Sequence, residues 1–402
     1  MHHVDCGTLV VGTNVEPIED ARLVIEDGRV VESGPVEDVA GDGDRIDHST
    51  ETVLPGLIDA HLHLVGVRSM DPLRWTIEND ALATARAAAD ARSLVEAGFT
   101  TVRDLGSPYA IGLRDAIQEG ELAGPRVFAS GPAISQTGGH GDTHSLPYEW
   151  VTDRASISTL ADGVVECRRE ARKRIRDDAD CVKIMTTGGV LSEYDAPEER
   201  QFTDEEIAAM VEEAHRVGMP VASHAQGTAG IEAALENGVD TIEHAFYLDD
   251  STIDLLFEAD ATVVPTMAIM DRIVERGEEA GVPDHGIEKA RAAFEAHTDS
   301  MRKAVDAGVP IATGTDFVGP ELIPHGENAR ELELFVDRLD MSELDAIRAA
   351  TCVARRTVPA EDVGGLDAGM YADFVVADDP LSDIAALYDP TAVYKGGEQV
   401  GT

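Results

Sequence analysis

The segment Asp59-Ala60-His61-Leu62-His63 sets two imidazoles two residues apart. On an extended strand alternate side chains share a face, so His61 and His63 can converge on one cation. Four more residues of ligand type stand in or after short apolar runs: Lys183, His224, His244 and Asp316. Taken singly, each has an ordinary explanation, as a hydrogen-bonded core histidine, a buried Lys paired to an acid, or an Asp capping a helix. Taken jointly they read as a metal site, because three run ends with His and an acid after the last make a poor coincidence. Lys183 sits inside Cys181-Val182-Lys183-Ile184-Met185. Burial there favours its neutral amine. A neutral amine can add CO₂ to give a carbamate, whose oxygens can bridge two cations about 3.5–4 Å apart. Pairing with a buried acid is the alternative.

These residues need a scaffold that brings run ends together. Candidate strands at 57–64, 100–104, 127–131, 181–186, 220–224, 241–244, 262–266 and 310–315 alternate with other stretches. Helical periodicity covers 81–97, 157–176, 204–217 and 288–307, and Thr203 with Glu206 has the spacing of a capping box. Eight strands, each followed by a crossover, predict an α/β fold, a (β/α)₈ TIM-like barrel with its site at the C-terminal strand ends. The two chain ends read differently. Residues 21–25 and 29–31 flank an Asp27-Gly28 turn, and 372–377 is a strand after Asp367-Ala368-Gly369. The expected division is a small β-sandwich domain from 1–55 plus 359–402, and a barrel over 56–358.

The chain has 402 residues, 77 acidic and 32 basic, for a formal net charge of −45. Such a surface repels nucleic acid and anionic membrane, so neither is an expected partner. The acids are spread along the chain, which fits a solvated surface suited to high salt. Cys6, Cys167, Cys181 and Cys352 contain no C-x-x-C pair and read as reduced thiols. Neither a signal peptide nor an apolar run of about 20 residues is evident, so a cytoplasmic location is expected.

Pro55-Gly56-Leu57-Ile58-Asp59-Ala60-His61-Leu62-His63 resembles the first-strand motif of the amidohydrolase superfamily. The likeness covers nearly the whole chain and includes Gly365 to Phe374, which is similar to the family's C-terminal Gly-x-Leu-x-x-Gly and Ala-Asp elements. It implies His61, His63 and Asp316 on one divalent metal ion, His224 and His244 on a second, and carboxylated Lys183 between them. Zinc is the usual metal, and imidazole with carboxylate suits it. Two cations lower the pKa of a bridging water and polarise the substrate carbonyl. Asp316 then accepts the proton of the attacking water and delivers it to the leaving nitrogen.

Three loops bear on the substrate: Gln136 to His144, Thr186 to Ser192, and His325-Gly326-Glu327-Asn328. They look like those of the prolidase-like branch, which cleaves dipeptides and N-acyl amino acids. In that branch a loop His, here His140, grips the substrate carboxylate, often with a Tyr just after the fifth-strand His. Here that position is Gln226, which still donates a hydrogen bond, so a carboxylate-bearing product is better supported than proline itself. His325 and Asn328 are further candidates for the pocket wall. Expected partners are a small-molecule substrate and, beyond it, further copies of this chain as a homo-oligomer. Imidazolonepropionase-like ring hydrolysis, heterocycle deamination and a non-enzymatic scaffold are the competing readings. Lys183 speaks against deamination and the full ligand set against the scaffold. If the acidic surface is adapted to salt, the melting temperature rises between low and molar KCl; an unchanged value contradicts the adaptation.

Overall fold

Alternating apolar residues at both chain ends build one sheet. The structure, a computed structural model, describes all residues except 13–15, 42, 154–156, 191, 193, 280–283 and 402. Strands β1 (His2–Leu9), β2 (Ile18–Glu26), β3 (Arg29–Pro35) and β4 (Asp44–Pro55) come from the N-terminal end. Strands β14 (Phe374–Ala377), β15 (Ala392–Lys395) and β16 (Glu398–Gln399) come from the C-terminal end. Their order is β16-β15-β14-β4-β1-β2-β3, with β1 and β4 parallel and the other pairs antiparallel. Asp27 and Gly28 turn the β2–β3 hairpin with φ of 49° and 75°, the left-handed pair that a two-residue hairpin turn of this type requires. The expected sandwich is hydrogen-bonded as one mixed sheet, because β14 pairs directly with β4.

Period-two alternation divides that sheet between two cores. Val53, Phe374 and Val376 join Leu23 and Ile25 in a small cluster, where Phe374 stacks on Tyr394 at 4.3 Å between ring centroids. Leu54, Val375 and Ala377 belong to the large core of the rest of the chain. The sheet therefore buries one face on its own core and the other against its neighbour.

Between the ends the arrangement is TIM-barrel-like α/β. Strands β5 (Leu57–Leu62), β6 (Phe99–Asp104) and β7 (Arg126–Ala129) form one parallel sheet. Strands β8 (Ala133–Ser135), β9 (Ser158–Leu160), β10 (Val182–Met185), β11 (Val221–Ala225), β12 (Thr241–His244) and β13 (Thr262–Val264) form a second, in the order β13-β12-β11-β10-β8-β9. Seven of the eight expected segments thus form strands. The eighth, 310–315, is hydrogen-bonded on both sides without becoming a regular strand. Val263 donates to Pro310 O at 2.9 Å on one side, and Ala60 donates to Thr313 O at 2.8 Å on the other. Pro310 has no N–H to offer, and Asp316 turns left-handed at φ 58°, so the ladder is short.

The helices Asp80–Glu96, Asp204–His215 and Asp284–Ala307 lie where the periodicity places them. The Thr203–Glu206 capping box is present in both directions. The stretch from 157 is different: residues 158–160 pair as β9, and the helix begins only at Gly163, whose own φ is 74°. Ser158-Thr159 favours the strand, which docks on β8. No described helix is long and apolar enough to cross a membrane.

Asp373, nearly buried, ties the end sheet to the barrel-like unit. It accepts from Arg126 Nε at 2.8 Å and from Gly396 N at 2.7 Å, while the Arg126 guanidinium lies 3.5 Å from the Tyr371 ring centroid. Asp373→Ala leaves a guanidinium and an amide unanswered, and unfolding in urea is expected to show a loss of about 2 kcal/mol, discounted for the partial exposure of Arg126. A midpoint within error of wild type contradicts this role for Asp373.

Candidate metal centre

The strand alternation that suggested a metal site brings its candidate ligands together. His61 and His63 leave the end of β5, with ring centroids 5.4 Å apart. His63 Nε2 lies 3.0 Å and His61 Nε2 lies 3.5 Å from Asp316 Oδ1. His224 and His244 come from β11 and the end of β12, with ring centroids 4.5 Å apart, and His244 stands 5.0 Å from His61. Ligand atoms of His61, His244 and Asp316 all lie within 4.8 Å of one another. Lys183, on β10, points into the same cavity as these five side chains.

The electrostatics favour the metal-binding form of His61, His224, His244 and Asp316. Burial holds the imidazoles of His61, His224 and His244 well below the usual histidine range, and the Lys183 charge adds to the effect. Neutral imidazole is the form that binds metal. Burial brings the Lys183 amine down to about 8, against the opposing pull of Glu243 and Asp316. Its Nζ is buried and meets no hydrogen-bond partner among the described residues. The paired-Lys alternative therefore lacks its direct contact. Burial tends to raise the Asp316 carboxyl, but His61, His63 and Lys183 hold it below the usual range. Four imidazoles, a carboxylate and an orphaned amine make a donor set that fits divalent cations.

Backbone strain is concentrated here. His244, Ala245, Thr266 and Asp316 are left-handed, with φ of 73°, 51°, 57° and 58°. Each such residue costs on the order of 1–3 kcal/mol, held by its surroundings. The reward is aim. His244 Nδ1 meets Thr266 Oγ1 at 2.7 Å, which leaves Nε2 for the cavity, and Asp316 N donates to His61 O at 2.7 Å.

The substrate candidates divide. His140 and Gln226 line the cavity. The His140 ring stacks on His224 at 4.2 Å, and its Nδ1 lies 3.3 Å from Asp195 Oδ2. Gly189 leaves room for this ring, since a Cβ there would meet His140 Cε1 at 2.2 Å and displace it. Gln226 Oε1 accepts from Val190 N at 2.7 Å, which turns its amide nitrogen toward other partners. His325 and Asn328 are not among the lining residues. His325 Nε2 is 3.1 Å from His63 O, and buried Asn328 donates to Asp59 Oδ2 at 2.6 Å. Asn328 thus braces β5, and His325 the backbone just after it. Leu191, in the loop after β10, lies outside the described residues.

Sequence reasoning missed the support beneath the ligands. Glu243 Oε2 lies 2.8 Å from His61 Nδ1, and its other oxygen accepts from Arg103 at 2.8 Å. Arg103 also donates to Ala60 O at 2.6 Å and to Thr241 Oγ1 at 3.0 Å. All three ionisable side chains are almost wholly buried. A signal was present: Arg103 and Glu243 each stand inside an apolar strand, where a charge must have a partner. Arg103→Met strips Glu243 of its guanidinium and is expected to cost about 3 kcal/mol or more in unfolding free energy. Adding Glu243→Gln should recover part of that loss, and additive losses in the double variant contradict the pairing.

Known proteins share this chain's sequence pattern and fold. Residues 52–400 match the family model described as Amidohydrolase family. The ochratoxinase of Aspergillus niger is 35% identical over 419 residues, covering 98% of this chain and 85% of the relative. The crystal structure of A. niger ochratoxinase superposes with a TM-score of 0.91 at 33% identity, over 99% of this chain and 94% of that one. A crystal structure of a Xaa-Pro dipeptidase with methionine bound in its active site gives 0.86 at 33% identity, over 99% and 98%. The imidazolonepropionase of Streptomyces griseus subsp. griseus is 24% identical over 420 residues, 97% of this chain and 94% of the relative.

Proposed function

Because this chain belongs to the amidohydrolase family, whose members are metal-dependent hydrolases of C–N bonds, we propose that it hydrolyses the amide bond of dipeptides or N-acyl amino acids. The observation that carries the reading is the convergence of His61, His63, Lys183, His224, His244 and Asp316 on one wall of a cavity that His140 and Gln226 also line. A free amino acid in the active site of a similar dipeptidase supports a carboxylate-bearing product.

In this reading His61, His63 and Asp316 would hold one cation and His224 and His244 a second, with Lys183, carboxylated, as the ligand that they would share. Zinc suits these donors. Bound cations supply a water of lowered pKa and a polarised substrate carbonyl. The chain's own groups do the rest. His140 and the Gln226 amide nitrogen bind the substrate carboxylate, which sets the scissile bond over Asp316. Asp316 Oδ takes the proton of the attacking water and passes it to the leaving nitrogen as the C–N bond breaks. Apolar walls from Leu105, Val190, Phe246 and Met270 exclude competing water. Residues 1–55 with 359–402 form the supporting β unit, and 56–358 the catalytic one.

Asp316→Asn should keep most of its metal and lose about 10²–10⁴-fold in kcat on a hydrolysed dipeptide. Metal content and turnover measured on one preparation check this, and near-wild-type kcat overturns the proton-transfer role.

A further inference from the structure

The helix Met267–Arg276 follows Thr266, and its start departs from the usual pattern. A Thr at the head of a helix ordinarily sits in the extended region and lends its hydroxyl to the first amides. Thr266 does neither. Its backbone is left-handed, with φ of 57° and ψ of 45°, a rare state for a β-branched residue, and its side chain makes no cap bond. Its Oγ1 lies instead 2.7 Å from His244 Nδ1. The hydroxyl that meets the ring therefore does not serve the helix.

The helix amides are answered from elsewhere. Glu331 belongs to the helix Arg330–Leu339 and is fully buried. One of its oxygens accepts from Met267 N at 2.9 Å and the other from Ala268 N at 2.6 Å. Among the described residues its hydrogen-bond partners are these two amides, at the positive end of a helix, and not a side-chain cation. Arg330, next to it, donates to Asp271 of the same helix at 2.7 Å, which fixes how the two helices meet. A carboxylate this deep is costly unless its bonds are made. Here those bonds cap a helix whose own N-cap hydroxyl is engaged with a candidate ligand.

We propose that Glu331 is a positioning residue for the metal centre: by capping the helix in place of Thr266, it leaves the Thr266 hydroxyl to fix the His244 ring with Nε2 toward the cavity. The inference rests on the metal-centre reading for the cation, but not for the pose of the ring. Without the carboxylate the two amides lose their acceptor, and the ordinary replacement is the N-cap hydroxyl. Once Thr266 relaxes toward an ordinary cap and turns its hydroxyl to them, Nδ1 of His244 loses its partner. The ring is then free to change tautomer or orientation. A Glu331 that merely steadied the helix would lower stability and leave the ring as it is.

The test uses the full chain, isotope-labelled at the histidine nitrogens, first free of metal and then titrated with zinc against a fluorescent chelator. Glu331→Ala, Thr266→Val and the double variant are compared with Asp373→Ala, a destabilised control whose lost bonds involve none of the ligands. His244→Gln assigns the His244 signals. In the metal-free chain Glu331→Ala and Thr266→Val are expected to move the His244 nitrogen resonances alike, and Asp373→Ala to leave them in place. In the titration each of the two weakens one zinc equivalent by about 10–100-fold, and the double variant is no weaker than Thr266→Val alone. Where Glu331→Ala does not fold, Glu331→Gln keeps one acceptor oxygen and should move the same resonances less far. Wild-type His244 resonances in either folded Glu331 variant overturn the proposal, and so does a double variant whose loss is the product of the single losses. Displaced His244 resonances in a chain whose wild type binds no zinc uphold the positioning role and overturn the metal-centre reading instead.

Discussion

A carboxylate buried between an imidazole and a guanidinium is the constraint on which the site depends. Glu243, fully buried on β12, stands between His61 Nδ1 and Arg103, each at 2.8 Å. Charges this deep persist only when paired and hydrogen-bonded, so the strands that carry them must take one register. Arg103 on β6 reaches Ala60 O on β5 and Thr241 on β12. Strands from both parallel sheets are thereby tied across the interior at a single point, and that point sits directly beneath His61. With Nδ1 engaged by Glu243, His61 can offer only Nε2 to the cavity, the arrangement by which a carboxylate orients a metal-binding histidine.

A second buried carboxylate repeats the logic on the other side of β5. Asp59 accepts from Thr315 Oγ1 at 2.7 Å, from Asn328 Nδ2 at 2.6 Å and from His61 N at 3.0 Å. These bonds fasten the irregular segment before Asp316 to the first strand, where a regular ladder is lacking. The left-handed turns at His244 and Asp316 can then be tolerated, because what holds them is packed and hydrogen-bonded on every side. Rigid support beneath and strained ends above hold these candidate ligands in place without any cation.

Much of this was legible in the sequence, and for a physical reason. Metal chemistry uses few residue types, and alternation along a strand fixes which of them share a face, so His61, His63, His224, His244, Lys183 and Asp316 could be grouped without coordinates. The large elements followed from periodicity. Two kinds of feature escaped. Short strands such as β8 and β9, three residues each, carry too little pattern to be told from loop or helix. The supporting pairs, Arg103 with Glu243 and Asp59 with Asn328, lie 140 and 269 residues apart in the chain, so nothing local announces them. Asn328 illustrates the cost: a polar residue in a Gly-containing loop reads as a substrate contact, and only the fold reveals that it is buried against Asp59.

The central claim is that these six side chains form a two-cation centre in which Lys183 serves as a carbamate. Metal content of the full chain, purified with zinc and bicarbonate and measured by plasma mass spectrometry, tests it most directly. About two equivalents per chain in wild type, falling to one or fewer in Lys183→Met, is the predicted result. Less than one equivalent in folded wild type, or two in folded Lys183→Met, contradicts it.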